Sequence, residues 1–246
     1  MNLGLDGRVV LVTGAAGGLG HVLCRAFADE GARVVLADLE PDRVEAAAAE
    51  VPGGIAHVVD VTDAEDIRRL VDATVAAHGA VDVLVPAAGL YQGTQVDDVE
   101  PAAWDRLHAV NVKGTFLSAQ AVLRPMTQNR RGSIVTLGSI SGQVGGVQSG
   151  VAYATSKAAV IGLTKALARF AGPFGVRVNC VNPGYIEAGM SLGMTPADRE
   201  RTIGATPLRR AGTADEVATA VVWLASDAAA FVTGAQLDVN GGLLMA

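Results

Sequence analysis

Residues 8–20 read Arg8-Val9-Val10-Leu11-Val12-Thr13-Gly14-Ala15-Ala16-Gly17-Gly18-Leu19-Gly20. Four apolar residues break into a turn rich in glycine. Residues 21–31, HVLCRAFADEG, then follow at helical spacing. A strand that is apolar throughout, rather than alternating, is covered on both faces. Glycine lets the following turn close tightly and lets main chain approach a ligand. The helix that starts there offers unpaired N–H groups and the positive end of its dipole. Strand, Gly14-x-x-x-Gly18-Leu19-Gly20 turn and helix together predict a cradle for the pyrophosphate of a dinucleotide.

The same alternation continues outward. RVVLAD (33–38), IAHVVDV (55–61), VDVLV (81–85), GSIVTL (132–137), VRVNCV (176–181) and AQLDVN (235–240) read as strands. Between them, residues 41–51, 63–79, 101–126, 153–172 and 213–226 carry helical periodicity. Strand–helix–strand repetition gives right-handed crossovers and a doubly wound parallel sheet with helices on both faces. No linker or composition shift divides residues 1–246, so the expectation is one α/β domain. Residues 184–213 are the least regular stretch and are expected to form a mobile substrate lobe.

Composition excludes several classes. With 50% hydrophobic and 18% charged residues, the chain is not disordered. Nineteen basic against 25 acidic side chains leave a net charge of −6, unsuited to neutralising nucleic-acid phosphates. Cys24 and Cys180 stand alone, so neither a disulfide framework nor a structural zinc is expected, and no metal site is read. No stretch reads as a signal peptide or membrane span. The expectation is a soluble, cytoplasmic protein without nucleic-acid or membrane partners.

Asp38 ends the second strand, 24 residues after Gly14. A carboxylate there can accept hydrogen bonds from an adenosine ribose diol and repel a 2′-phosphate, which points to NAD. Ala15, where a basic residue could have sat, offers no compensation. Asp60-Val61, after the third strand, is placed to meet the adenine, although Asp60 also suits an ordinary turn. Farther on, Tyr153-Ala154-Thr155-Ser156-Lys157 puts a phenol and an ammonium on one helical face. A chain with three lysines and sixteen arginines keeps a lysine here, favouring a compact cation over a planar fork. The ammonium, with an oxidised nicotinamide, is expected to favour the phenolate.

These pieces resemble the short-chain dehydrogenase/reductase family over essentially the whole chain. The resemblance rests on residues 13–20, Asp38, Asp60-Val61, Ala87-Ala88-Gly89, Asn111, Ser139, Tyr153 with Lys157, Asn182-Pro183-Gly184 and the terminal VTGAQLDVNGG. It implies a single Rossmann-type domain with a seven-stranded parallel sheet, an NAD cofactor and a homotetramer. It also implies roles: Tyr153 as acid and base, Ser139 as the hydroxyl that holds the substrate oxygen, and Lys157 on the nicotinamide ribose. Asn111 would anchor a water that relays protons to Lys157. Ala88, Gly89, Pro183, Gly184 and Ile186 join the cofactor contacts.

Two departures stand out. Pro86 and Ala87 replace the family's usual asparagines, putting local hydrogen bonding in doubt. Pro86 cannot donate to a ladder and so belongs at a strand end. Ala188 replaces a threonine that would contact the carboxamide.

The resemblance further implies that Tyr91, Ser141, Gln143, Val144, Gln148, Tyr185 and Met190 face the substrate. Those segments hold no Lys, Arg or His, and Glu187 is their one charge. The implied substrate is a neutral, largely apolar secondary alcohol or ketone. Two alternatives remain. One is a reductase of 3-oxoacyl groups on a carrier protein docked by Arg124, Arg130, Arg131 and Arg169. The other is a nucleotide-binding sensor or scaffold without turnover. The apolar tail Gly241–Ala246 would gain from burial against another subunit, or against its own.

Overall fold

The computed structural model describes residues 3–94, 96–146, 149–188 and 194–245. Within them, β1 (Val9–Thr13), β2 (Arg33–Asp38), β3 (Ile55–Val58), β4 (Val83–Pro86), β5 (Gly132–Leu137), β6 (Val176–Pro183) and β7 (Gln236–Val239) form one sheet. Its order is β3-β2-β1-β4-β5-β6-β7, and each pairing is parallel. The expected doubly wound topology is therefore the observed one. The strand order reverses between β1 and β4, and there the carboxyl ends open a crevice.

Strand side chains alternate between two packed layers. Val10, Val12, Val34 and Leu36 face one core with Leu23, Phe27 and Val221. Val9, Leu11, Val35 and Ala37 face the other with Ile67, Leu70, Val122 and Met126. On the first face lie α1 (Gly18–Asp29), α2 (Pro41–Ala49) and α9 (Ala214–Ala225). On the second lie α3 (Ala64–His78), α5 (Thr115–Gln128) and α7 (Val151–Ala171). Burial on both sides explains why the strands read as unbroken apolar runs.

Helix ends follow local chemistry. Asp63 accepts from the N–H groups of Glu65 and Asp66 at the start of α3, and Gly79 ends it in the left-handed region at φ 83°. Thr213 and Glu216 form a capping box for α9. The segment read as one helix over 101–126 is three pieces: α4 (Pro101–His108), a π-helical turn over Ala109–Gly114, and α5. The wide turn carries Asn111, and such turns gather at functional sites.

The described residues of 184–213 are more regular than their composition suggests. They hold α8 (Pro196–Ala205), capped by Thr195 and started by Pro196. Its described residues include no buried one, so no apolar stripe marked it as a helix. Residues 241–245 fold back on their own chain. The Leu208 N–H donates to the Gly241 carbonyl at 3.1 Å, and Asn240 Nδ2 donates to the Leu244 carbonyl at 3.0 Å. The tail thus touches its own chain while staying half-buried, with Met245 exposed. Among the described residues, no helix is long and apolar enough to cross a membrane.

Candidate active site

The crevice is a cavity of about 1380 Å³ along the carboxyl edge of the sheet. Gly14, Gly18, Leu19 and Gly20 line it where β1 passes into α1. Gly14 has φ +68°, and a Cβ there would stand 2.5 Å from the Ala88 nitrogen. A Cβ on Gly20 would stand 2.1 Å from the Gly14 carbonyl oxygen. Only glycine closes the loop this tightly, and the first turn of α1 faces the cavity. These residues fit a dinucleotide pyrophosphate.

Asp38, Asp60, Val61, Ala88, Gly89, Pro183, Gly184 and Ile186 line the same cavity. The Asp38 carboxylate is held by the Ala16 N–H at 2.9 Å and the Leu39 N–H at 2.8 Å. Asp60 does double duty, accepting at 2.8 Å from both the N–H and the hydroxyl of Thr62. One basic group went unread: Arg43 lines the cavity and donates to the Ala16 carbonyl at 3.0 Å. Asp38 and Arg43 thus grip Ala16 from both sides, through its N–H and its carbonyl. The expectation of no compensation near Asp38 considered Ala15 alone.

Pro86 ends β4, as its missing N–H requires, and pairs with Thr13 in register. The Thr13 hydroxyl is buried without a hydrogen-bond partner.

Tyr153 and Lys157 lie one turn apart on α7, and both line the cavity with Ser139. Lys157 is buried and donates to the Leu137 carbonyl at 2.8 Å, with Nζ 5.6 Å from the centroid of the Tyr153 ring. Ser139 Oγ accepts the Ser141 N–H at 3.1 Å. Tyr91 packs edge-on to Tyr153, with ring centroids 5.1 Å apart. Burial pushes the Tyr153 phenol up to about 12, against a smaller downward pull from its hydrogen bond with Ser139. Burial also draws the Lys157 ammonium down to about 8. The expected lowering of the phenol is therefore not produced by the protein alone. Desolvation disfavours both charged forms, and it outweighs their proximity here.

Asn111 stands behind the cavity. Its carbonyl accepts the Leu90 N–H at 2.7 Å, and its amide donates to the Leu90 carbonyl at 2.9 Å and to Ser156 Oγ at 3.0 Å. The side chain fixes the segment that leads into Tyr91. This is why a poor helix former is kept inside a helical stretch.

Of the expected substrate residues, Tyr91, Ser141, Val144 and Tyr185 line the cavity, and Gln143 does not. Gln143 lies on α6 (Ser141–Val144), which packs on α7. Gln148 and Met190, with Val147 and Leu192, lie outside the described residues. Ala188 also lines the cavity. The expected substrate segments hold no cation, but Arg43, Arg106 and Arg201 from outside them line the cavity together with Lys157. Arg201 is answered by Asp198 at 3.2 Å, and Glu187 is paired with Arg199. Ser149 and Leu243 are further lining residues that sequence reasoning missed. No local pattern marked them, because loop and tail reach the cavity only through the fold.

The family model described as "Enoyl-(Acyl carrier protein) reductase" matches residues 14–244. The chain is 38% identical to an uncharacterized short-chain type dehydrogenase/reductase of Sinorhizobium fredii, with 98% of this chain and 99% of that protein aligned. This chain belongs to the short-chain dehydrogenase/reductase family. As a member it is an oxidoreductase acting on CH–OH groups with a nicotinamide cofactor. It is also 42% identical to a galactitol 2-dehydrogenase (L-tagatose-forming) of Cereibacter sphaeroides, over 97% of this chain and 95% of that one. The crystal structure of gox2181 superposes with a TM-score of 0.94 at 37% identity, covering 99% of both chains.

Proposed function

We propose that this protein is an NAD-dependent dehydrogenase of neutral secondary alcohols, or a reductase of the matching ketones. Tyr153 acts as acid and base. The observation that carries the reading is the meeting of the Tyr153 phenol, Ser139 and Lys157 in the cavity that the glycine cradle opens. A bound nicotinamide would supply or take up the hydride. The chain's own residues manage the oxygen and its proton. In reduction, the buried phenol holds its proton at neutral pH and gives it to the carbonyl oxygen. Ser139 Oγ, oriented by the Ser141 N–H, donates a hydrogen bond to that oxygen. In oxidation, Tyr153 takes the proton back. Lys157 is placed to hold the ribose and to favour the phenolate as it forms.

The preference for NAD rests on Asp38. A carboxylate about 4 Å from a 2′-phosphate costs up to about 4 kcal/mol at an effective dielectric of 20. Arg43 offsets part of this, so the preference is about tenfold, or about 1.4 kcal/mol. The neutral substrate rests on Tyr91, Val144, Tyr185 and Leu243, and on the pairing of Glu187 with Arg199 and of Arg201 with Asp198. An unpaired buried substrate charge would be costly beside them. A carrier-protein substrate has less support, because one of the four arginines that would dock it is already engaged. Arg131 is spent on Asp82 at 3.1 Å, before the start of β5. A sensor without turnover would not need a positioned phenol. The homotetramer is carried over from the resemblance alone.

The test is incubation with NAD or NADP and a panel of secondary alcohols beside matched hydroxy acids, following reduced-nicotinamide absorbance. Turnover of the alcohols with NAD is expected. Preference for the acids, or equal kcat/KM with the two cofactors, would overturn the corresponding part.

A further inference from the structure

Ser156 lies on α7 between Tyr153 and Lys157 and is fully buried. Its hydroxyl is used in both senses. It donates to the Tyr153 carbonyl at 2.8 Å and accepts from Asn111 Nδ2 at 3.0 Å. A serine in a helix often bonds back to a carbonyl one turn earlier, so the first bond is a local habit. The second is not, because it reaches a different element. Asn111 stands on the π-helical turn, and its amide pairs with both the N–H and the carbonyl of Leu90. The next residue is Tyr91, whose ring returns edge-on to the Tyr153 ring at 5.1 Å between centroids. Tyr153, Ser156, Asn111, Leu90 and Tyr91 thus close a ring of contacts. Its two phenols both line the cavity.

We propose that Ser156 is a positioning residue: through Asn111 it locks the segment at Leu90 to α7, and so holds the Tyr91 ring against Tyr153. The inference rests on the reading of Tyr153 as acid and base, and deepens it. Ser156 touches neither substrate nor cofactor in this role. Without its hydroxyl, one Asn111 N–H is left unpaired in a buried place, and the ring is cut at the link between the two elements. The Tyr91 ring then loses its fixed place beside the phenol that moves the proton. The neighbouring Thr155 is the natural control. It is exposed, bonds back to Val151 and Ala152, and reaches α4 at His108 Nε2 at 3.3 Å, outside the ring.

The experiment is a double-mutant cycle of Ser156→Ala and Tyr91→Leu, with Thr155→Val beside it. Oxidation of 1-phenylethanol by NAD is followed, together with NADH binding by fluorescence and the tyrosine band in near-ultraviolet circular dichroism. Ser156→Ala is expected to lower kcat about tenfold, as misplacement of reacting groups does, with NADH binding unchanged. In the Tyr91→Leu background the same substitution should change kcat by no more than about twofold, because the ring is already open. Ser156→Ala should also lose the tyrosine signal that Tyr91→Leu loses, and Thr155→Val should keep it. If the alanine variant does not fold, Ser156→Cys, which keeps the shape with a weaker hydrogen-bonding group, takes its place with the same expectations. An equal loss of kcat with and without Tyr91, or no loss in either, overturns the proposal. So does a tyrosine band that Ser156→Ala leaves as in the wild type. A wild type that binds NADH but does not oxidise the alcohol overturns the functional reading instead, and the tyrosine band alone then decides whether Ser156 holds the two rings together.

Discussion

Tyr153 is a phenol whose burial resists the charge its chemistry requires. With its titration pushed up to about 12, the acid form is present throughout the neutral range. Ketone reduction should be flat with pH through that range, whereas alcohol oxidation should climb as pH rises and the proton is lost more easily. Initial rates in both directions from pH 6 to 10 would show this, and an oxidation rate that fell with pH would contradict it. Tyr153→Phe keeps the ring packing against Tyr91 and removes the proton. Its kcat should fall by at least about 10²-fold, with binding of reduced cofactor retained; more than a few per cent residual turnover would refute the role. Lys157 titrates near 8 when folded and near 10.5 as an ordinary lysine. The unfolded chain binds more protons between those values, so wild-type stability gains with pH across that window. Urea midpoints should move in favour of wild type over Lys157→Met from pH 8 to 10.5. Asp38→Ala should narrow the preference for NAD, and Arg43→Ala should widen it, by kcat/KM with each cofactor. The phenol–ammonium pair was legible because one helical turn joins its members. The direction of their titration was not, because burial is a property of the assembled fold.

At the scale of elements, β1 ends on a hydroxyl that the sheet does not satisfy. An unpaired buried hydroxyl costs about 1–3 kcal/mol. Thr13→Val keeps the shape and β preference while removing that group. The variant should be more stable by about 1 kcal/mol in chemical denaturation; a loss of that size would mean the hydroxyl has a use. The inner strands were readable because they are buried on both faces, and their apolar runs need no partner to be recognised. The helices packed on the sheet were readable from their apolar stripes. Helix α8 was not, since its described residues are turned outward; Thr195-Pro196 at its start was the available sign. The division of 101–126 was likewise hidden, because one wide turn slips the helical phase by too little to break an apolar pattern read over the whole segment.

For the whole molecule, assembly is the open expectation. Light scattering at micromolar concentration should give the mass of four chains, and the mass of one would remove the tetramer. Gly241 bonds Leu208, so deleting residues 241–245 should disturb the segment after α8 before it disturbs assembly. Helix α8 lines the cavity through Arg201, Thr202 and Ala205, yet adds no buried side chain to either core. Its sequence can drift, or be exchanged for that of a relative, at almost no cost to folding. The cavity wall that α8 supplies is thus free to diversify over a frame that stays constant, and, on the proposed reading, grafting new α8 sequences is the natural route to new specificities in this protein.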